Sequence, residues 1–442
     1  MTVLPTVGSR SPVTLSPRAR LSRTLIALCA GAALAACGKD SGTTEPPPTL
    51  TPASCPGINL GARPAPLSVP TASPVALHVF GNGPETDRYS GEVALRGSFA
   101  YTTTWGVRRI QGNKINIWDV SGNVPVLVDS VTVTGAITTG DVQVSDDGTL
   151  MVVATEPAPG SIAIYSLADP RHPTLVTRYS SDQTTPGVHT AKLGRVNGKL
   201  YGFLAVDPGA SFPARLVIVD LSTPSAPKQV FVKIAGAPYV HDTYERAGLL
   251  FIGLWNDGVD VWDIGGCGAG ASPENPRTLG NVKTIGGEVH NIWWYHDPSG
   301  SKRFAFVGEE GPGAIGSSSR GDIHVIDISD PTTPKEVAFY HADGAGTHNF
   351  SVDEAKGVLY AAYYNGGVRA LDIRGDLASC PTSQQNEQTN LLRCDLRLMG
   401  REIGVGLTDL NRTIYVWGVQ YVNGTVYASD MLNGIWKLGP AK

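Results

Sequence analysis

Apolar and polar residues alternate along most of this chain in short bursts, the two-residue period of half-buried strands, and glycine and proline punctuate the gaps. One burst recurs seven times. It reads INIWDVSGNVP (115–125), IAIYSLADPRHP (162–173), LVIVDLSTPSAP (216–227), VDVWDIGG (259–266), IHVIDISDPTTP (323–334), VRALDIRGD (368–376) and IWKLGP (435–440). The copies begin roughly 43 to 67 residues apart, the spacing of a four-stranded propeller blade. One such sheet leaves both faces open to water, whereas seven in a ring cover one another. The pattern predicts an all-β fold: a seven-bladed β-propeller of four-stranded antiparallel blades.

Each repeat divides into strands A to D, counted outward from the central channel. Strand A begins at Glu92, Asp141, His189, His241, His290, His348 and Trp417, and ends in a turn at Gly97, Gly148, Gly198, Gly248, Gly300, Gly357 or Gly424. Asp147-Gly148 and Asn423-Gly424 are hairpin signals in which both central residues are expected at positive φ. The recurring burst is strand C. Its aspartates, Asp119, Asp220, Asp263, Asp327 and Asp372, are expected to accept hydrogen bonds from the amides of the following turn. The last repeat stops at strand C, while an unpaired strand, VALHVF (75–80), precedes the first strand A. That strand is expected to supply the missing D strand and close the ring, removing two open edges.

The N-terminal region reads differently. Four arginines precede an apolar stretch (25–34) that is followed by Leu34-Ala35-Ala36-Cys37. This arrangement resembles the bacterial lipobox and implies a signal peptide over 1–36, with Cys37 as the lipidated first residue of the mature chain. Residues 37–73, rich in Pro, Ser and Thr, then form a tether, and 74–442 form the propeller. The expected location is the cell envelope, anchored by lipid to a membrane that is expected to be the outer one, with the tether entering on the face opposite the A-strand starts. Export leaves Cys55, Cys267, Cys380 and Cys394, an even number in an oxidising compartment. Cys380 with Cys394, flanking a polar insert, and Cys55 with Cys267 are the expected disulfides. A formal net charge of −4 without a long basic run excludes nucleic acid as the expected partner.

The LVIVDLSTPSAP segment and its weaker copies resemble the LVIVD-repeat family of bacterial exported β-propellers. The resemblance covers about 75–439 and implies fold and export; it implies no activity, because propellers host many functions.

Candidate chemistry lies at the strand A starts. His189, His241, His290 and His348 come from consecutive blades, and Asp141 and Glu92 are expected in the same register in the two blades before them. Imidazoles with carboxylates suit zinc, iron, copper or manganese, which need ligand atoms within roughly 2.0–2.2 Å. The competing reading is a ring of structural side chains bonding to backbone or to neighbouring blades. The B–C loops should join this face, bringing Trp105, Arg109, Trp255, Glu309 and Glu310 to the channel mouth as candidate ligand contacts. His172, His296, His78, His324 and His341 are expected in surface or packing roles. No nucleophile elbow, phosphate loop or HExxH pattern occurs. The leading expectation is a lipid-anchored propeller that binds a small molecule or protein at its channel mouth, with a transition metal as candidate cofactor. The alternatives are a metal-dependent oxidoreductase or hydrolase using the same histidines, and a scaffold subunit of an envelope complex.

Overall fold

The computed structural model of the chain describes Cys55, Leu60, Gly61 and residues 73–440, except 107–110, 158, 210–211, 236–238 and 269. Seven antiparallel sheets, each of four blade strands, follow one another along the chain; the first six lay these strands out in sequence order from the inner strand outward, and the seventh takes its outer strand from the start of the propeller. The innermost strands are Tyr89–Arg96, Thr138–Val144, Val188–Val196, Thr243–Arg246, Val289–Trp294, Phe350–Asp353 and Val416–Val422, here the A strands of blades 1 to 7. A single 3-10 turn, Thr382–Gln384, is the only helix among the described residues.

Strand alternation makes the ring. In strand C of blade 3, Arg215–Asp220, Val217 and Val219 pack toward blade 2 against Val152, Ile162 and Ile164. Leu216 and Ile218 pack the other way, against Leu250, Ile252 and Trp262 of blade 4. All four are fully buried, each worth about 1.5–3 kcal/mol relative to exposure. Both faces of the strand are therefore apolar, because both abut another blade. At its end Asp220 accepts from the Ser222 amide (2.8 Å), as Asp119 does from Ser121, Asp263 from Gly265, Asp327 from Ser329 and Asp372 from Arg374.

Asn423 and Gly424 both take positive φ in a two-residue hairpin. The turn at Asp147-Gly148 differs. Only Gly148 is at positive φ there, because the Asp147 carboxylate caps the turn by accepting from the Thr149 amide and the Ser145 hydroxyl.

Closure of the ring uses His78–Gly83, which pairs with Gly434–Gly439 from His78 opposite Gly439 to Gly83 opposite Ile435. The pairing strand is thus displaced toward the C-terminal side of the expected 75–80. Val75 instead donates its amide to the Ile403 carbonyl of blade 6 (2.8 Å), and Asn82 fixes the register by donating to the Asn433 and Ile435 carbonyls. Blade 5 is also larger than expected. The hairpin Gln385–Gln388 with Leu391–Asp395 adds to its outer strand, Lys335–Tyr340, by parallel pairing at Ala338 and Phe339.

Both expected disulfides are present, Cys380–Cys394 and Cys55–Cys267. The second pins the segment before the propeller to the C–D connection of blade 4, and Lys302 donates its amide to the Leu60 carbonyl beside it. This is the end of the blades opposite the A-strand starts.

Candidate metal centre

Every A strand is irregular where it enters the channel. In blade 1, Ser90 pairs with Thr104 and Val93 with Thr102, so Gly91 and Glu92 share one partner; blades 2 and 5 repeat this at Gly140-Asp141 and His290-Asn291. Blades 3 and 7 carry one extra residue at His189 and Trp417. In blade 4, Gly253 accepts from the His241 amide and donates to the Asp242 carbonyl, and in blade 6 Ala362 does the same with His348 and Asn349. Each is a β-bulge, which kinks a strand and re-aims its side chains. Two consecutive residues of one strand now line one channel: His189 with Thr190, His241 with Asp242, and His348 with Asn349.

The channel therefore has two tiers. The upper tier is Gly91, Gly140, His189, His241, His290, His348 and Trp417, and the lower is Glu92, Asp141, Thr190, Asp242, Asn291, Asn349 and Gly418. Glu92 and Asp141 enter one residue later than the histidines, because the bulge advances the register by one residue and glycine holds the histidine position in their blades; Glu92 still reaches within 3.6 Å of His348 Nδ1, and both carboxylates border the same space as the histidines.

The lower tier ties blade to blade. Asp141 accepts from the Ala191 amide (3.1 Å), Thr190 donates to the His241 carbonyl (2.9 Å), and the Asn291 amide donates to the His348 carbonyl (2.8 Å) while accepting from Phe350 (2.9 Å). Lys192 sits 3.7 Å from Asp141 and 3.6 Å from Asp242. Burial, with Asp141 close by, pushes Glu92 up to about 8, and burial raises Asp242 to about 6. This tier fits the structural reading of the ring.

The upper tier is different. Its rings form an unbroken row, with centroids 4.4 Å apart from His189 to His241, 4.2 Å to His290, 4.0 Å to His348 and 4.0 Å to Trp417. All four histidines, with Glu92, Asp141 and Asp242 of the tier below and Lys192 beside them, border one space of about 20 Å³, room for a single ion or water. The Nε2 atom of His241 lies 3.0 Å from the Nε2 of His189 and 3.0 Å from Oε2 of Glu310. Glu310 also accepts from the Tyr364 hydroxyl (3.0 Å). Two rings have their outer nitrogen anchored: Nδ1 of His348 donates to the Trp417 carbonyl (2.7 Å), and Nδ1 of His189 meets Glu156 (2.9 Å). That leaves Nε2 of the neutral His348 ring as a lone pair turned inward, the arrangement in which outer hydrogen bonds orient metal-binding imidazoles; Nε2 of His189 is turned inward as well and offers a lone pair once its proton leaves. Nδ1 of His241, Nδ1 of His290 and Nε2 of His348 are buried without a hydrogen-bond partner.

Burial depresses the pKa of His241 and His290 and takes His348 down to about 3, so these three rings are neutral at pH 7. For His189 burial acts in the same direction, but Glu156, Asp207 and Glu310 overcome it and raise it to about 10. Burial works against ionised Glu310 as well, yet the neighbouring imidazoles bring it to about 2.

Two segments, 210–232 and 318–342, match the LVIVD repeat. They contain the C strands of blades 3 and 5 with their proline turns. This chain carries LVIVD repeats. No curated protein matches it. In the LVIVD-repeat chain the motif residues themselves are spent on inter-blade packing and the aspartate turn, and none of the described ones lines the spaces at the channel mouth. The repeat accounts for the fold and leaves the chemistry to other positions.

One such position lies two residues beyond the strand B residue that faces each bulge: Trp105, Glu156, Asp207, Trp255, Glu310, Tyr364 and Met431. Trp105, Trp255 and Glu310 were expected at the mouth, and all three line a cavity of about 560 Å³ above the histidines. Trp255 stacks on His241 (centroids 5.3 Å apart). Glu156 and Asp207, which line the same cavity, escaped the sequence reading; their signal was their place in this repeat position. Glu309 is corrected. Strand alternation turns it into blade 5, where it pairs with Nε2 of His324 at 2.9 Å. His324 is buried, and its Nδ1 meets Glu336 at 2.8 Å. Arg109 and Cys37 lie outside the described residues.

Proposed function

We propose that the chain is an envelope binding protein that holds a transition-metal ion at its channel mouth through His241, His290 and Glu310, with His189 and His348 adding nitrogens, and receives a small ligand above it. One observation carries this: three nitrogen and oxygen atoms from three blades meet at 3.0 Å spacings around His241 Nε2, while the other nitrogens of His189 and His348 are held by outer partners. His241, His290 and Glu310 offer ligand atoms within 4.8 Å of one another, and a mixed imidazole and carboxylate set suits zinc, copper, iron or manganese. Trp105, Trp255, Tyr239 and four prolines wall the cavity, and no lysine or arginine occurs among its described lining residues. The ligand is accordingly small, largely apolar and without strong negative charge.

The two disulfides fit an oxidising compartment outside the cytoplasm. A lipid on Cys37 holds the Cys55 end of the propeller toward the membrane and turns the metal-bearing mouth away from it. Protein stripped with chelator, reloaded with Zn²⁺ and desalted is expected to retain metal that His241→Ala and Glu310→Gln lose. A wild type that retains none removes the metal reading. For the anchor, Cys37→Ser is expected to move the protein from the membrane to the soluble fraction; a wild type already soluble removes that part.

A further inference from the structure

We propose that the channel mouth holds a second metal ion, bound by Glu156, His189 and Asp207 and joined to the first through the His189 ring. The proposal rests on the metal reading above for the first ion only. Glu156 and Asp207 occupy the same repeat position in adjacent blades, and with His189 they offer ligand atoms within 4.8 Å of one another. Two carboxylates brought this close repel unless a proton or a cation is shared between them. Among the described residues neither pairs with a lysine or arginine; Lys192 is engaged with Asp141 and Asp242 in the tier below. Among the described residues the only ion pair to Glu156 comes from His189. Glu156 is 8% exposed, and its Oε1 is buried without a hydrogen-bond partner.

Room for an ion is kept by glycine. A Cβ on Gly187 would stand 2.9 Å from Asp207 Oδ2 and 3.3 Å from Glu156 Cβ, and one on Gly140 would stand 3.3 Å from Glu156 Oε1. His189 lies between the two sets of ligands, with Nδ1 2.9 Å from Glu156 Oε2 and Nε2 3.0 Å from His241 Nε2. Coordination at both nitrogens releases both ring N–H protons of the His189 imidazolium to solvent and leaves an imidazolate linking the ions. The second site is richer in oxygen than the first, so the pair is unsymmetrical.

Stripped protein reloaded with Zn²⁺ and desalted is expected to hold two ions per chain, falling to one in Asp207→Asn and in Glu156→Gln. A wild type that holds one ion, lost in His241→Ala and kept in Asp207→Asn, overturns the second site and leaves the first intact; a wild type that holds none removes both. A copper titration of the wild type needs no variant. Its electron paramagnetic resonance signal is expected to rise to one equivalent and then fall toward two as the ions couple through the ring. A signal that stays at one bound copper, with further copper free in solution, overturns the second site.

Discussion

Replacing Gly308 by alanine tests whether the bulges govern the metal centre. Gly308 faces the His290-Asn291 bulge from strand B, and an added Cβ would lie 2.4 Å from a terminal atom of the Asn291 amide, 3.0 Å from Phe350 Cζ and 3.1 Å from Thr347 Cγ2. Alanine fits the equivalent positions Ala154, Ala205 and Ala362. In blade 6 the asparagine of the bulge, Asn349, reaches across to Glu92 instead of folding back. In blade 5 the methyl group must displace Asn291, which breaks its two bonds to the His348 carbonyl and the Phe350 amide. Overpacking costs about 1–3 kcal/mol, and two lost hydrogen bonds cost about 1 kcal/mol each. The expected loss is about 3–5 kcal/mol, a fall in Tm of about 4–6 °C at about 1.3 °C per kcal/mol for a domain of this size. Because His348 shifts with its backbone, metal affinity should fall about tenfold or more. Calorimetry and a chelator competition titration measure the two effects. In an Asn291→Ala background the same glycine substitution should cost about 1 kcal/mol, since only the contacts to Phe350 and Thr347 remain. A Tm within 1 °C of wild type, or an equal cost in both backgrounds, would refute the reasoning.

The buried His324 sets a pH dependence. Burial lowers its pKa, but Glu309 and Glu336 outweigh that and bring it to about 10, above its unfolded value near 6.5. Its stabilisation is complete below pH 6.5 and lost as pH rises through 10, so urea unfolding between pH 7 and 10 should show wild-type stability falling more steeply than that of His324→Gln; parallel curves would remove the assignment. The Cys380–Cys394 bridge, with a sequence separation of 14, holds the extra hairpin against blade 5 and contributes about 3 kcal/mol through loop closure. In Cys380→Ser/Cys394→Ser, limited proteolysis is expected to cut within 382–393 before anywhere else. Resistance equal to wild type would show that the hairpin holds by strand pairing alone.

The blades, their number, the aspartate turns, the closing of the ring and both disulfides were legible in the sequence, because each follows from alternation, turn chemistry or spacing over a few residues. The four histidines were legible too, since repeats place equivalent residues around one axis. Alternation of period two assumes an unbroken strand, however, and every A strand breaks it at the channel. The bulge put Glu92 and Asp141 one tier below the histidines, and simple alternation turned Glu309 into blade 5 while its neighbour Glu310 reached His241. Glu156, Asp207 and Glu310 stand in a repeat position that elsewhere holds tryptophan, tyrosine and methionine, and it is the bulge facing strand B that turns this position toward the channel. The meeting of Glu156 and Asp207 with His189 joins blade 2 to blade 3, and that depends on the packing of whole sheets and on no local run of residues.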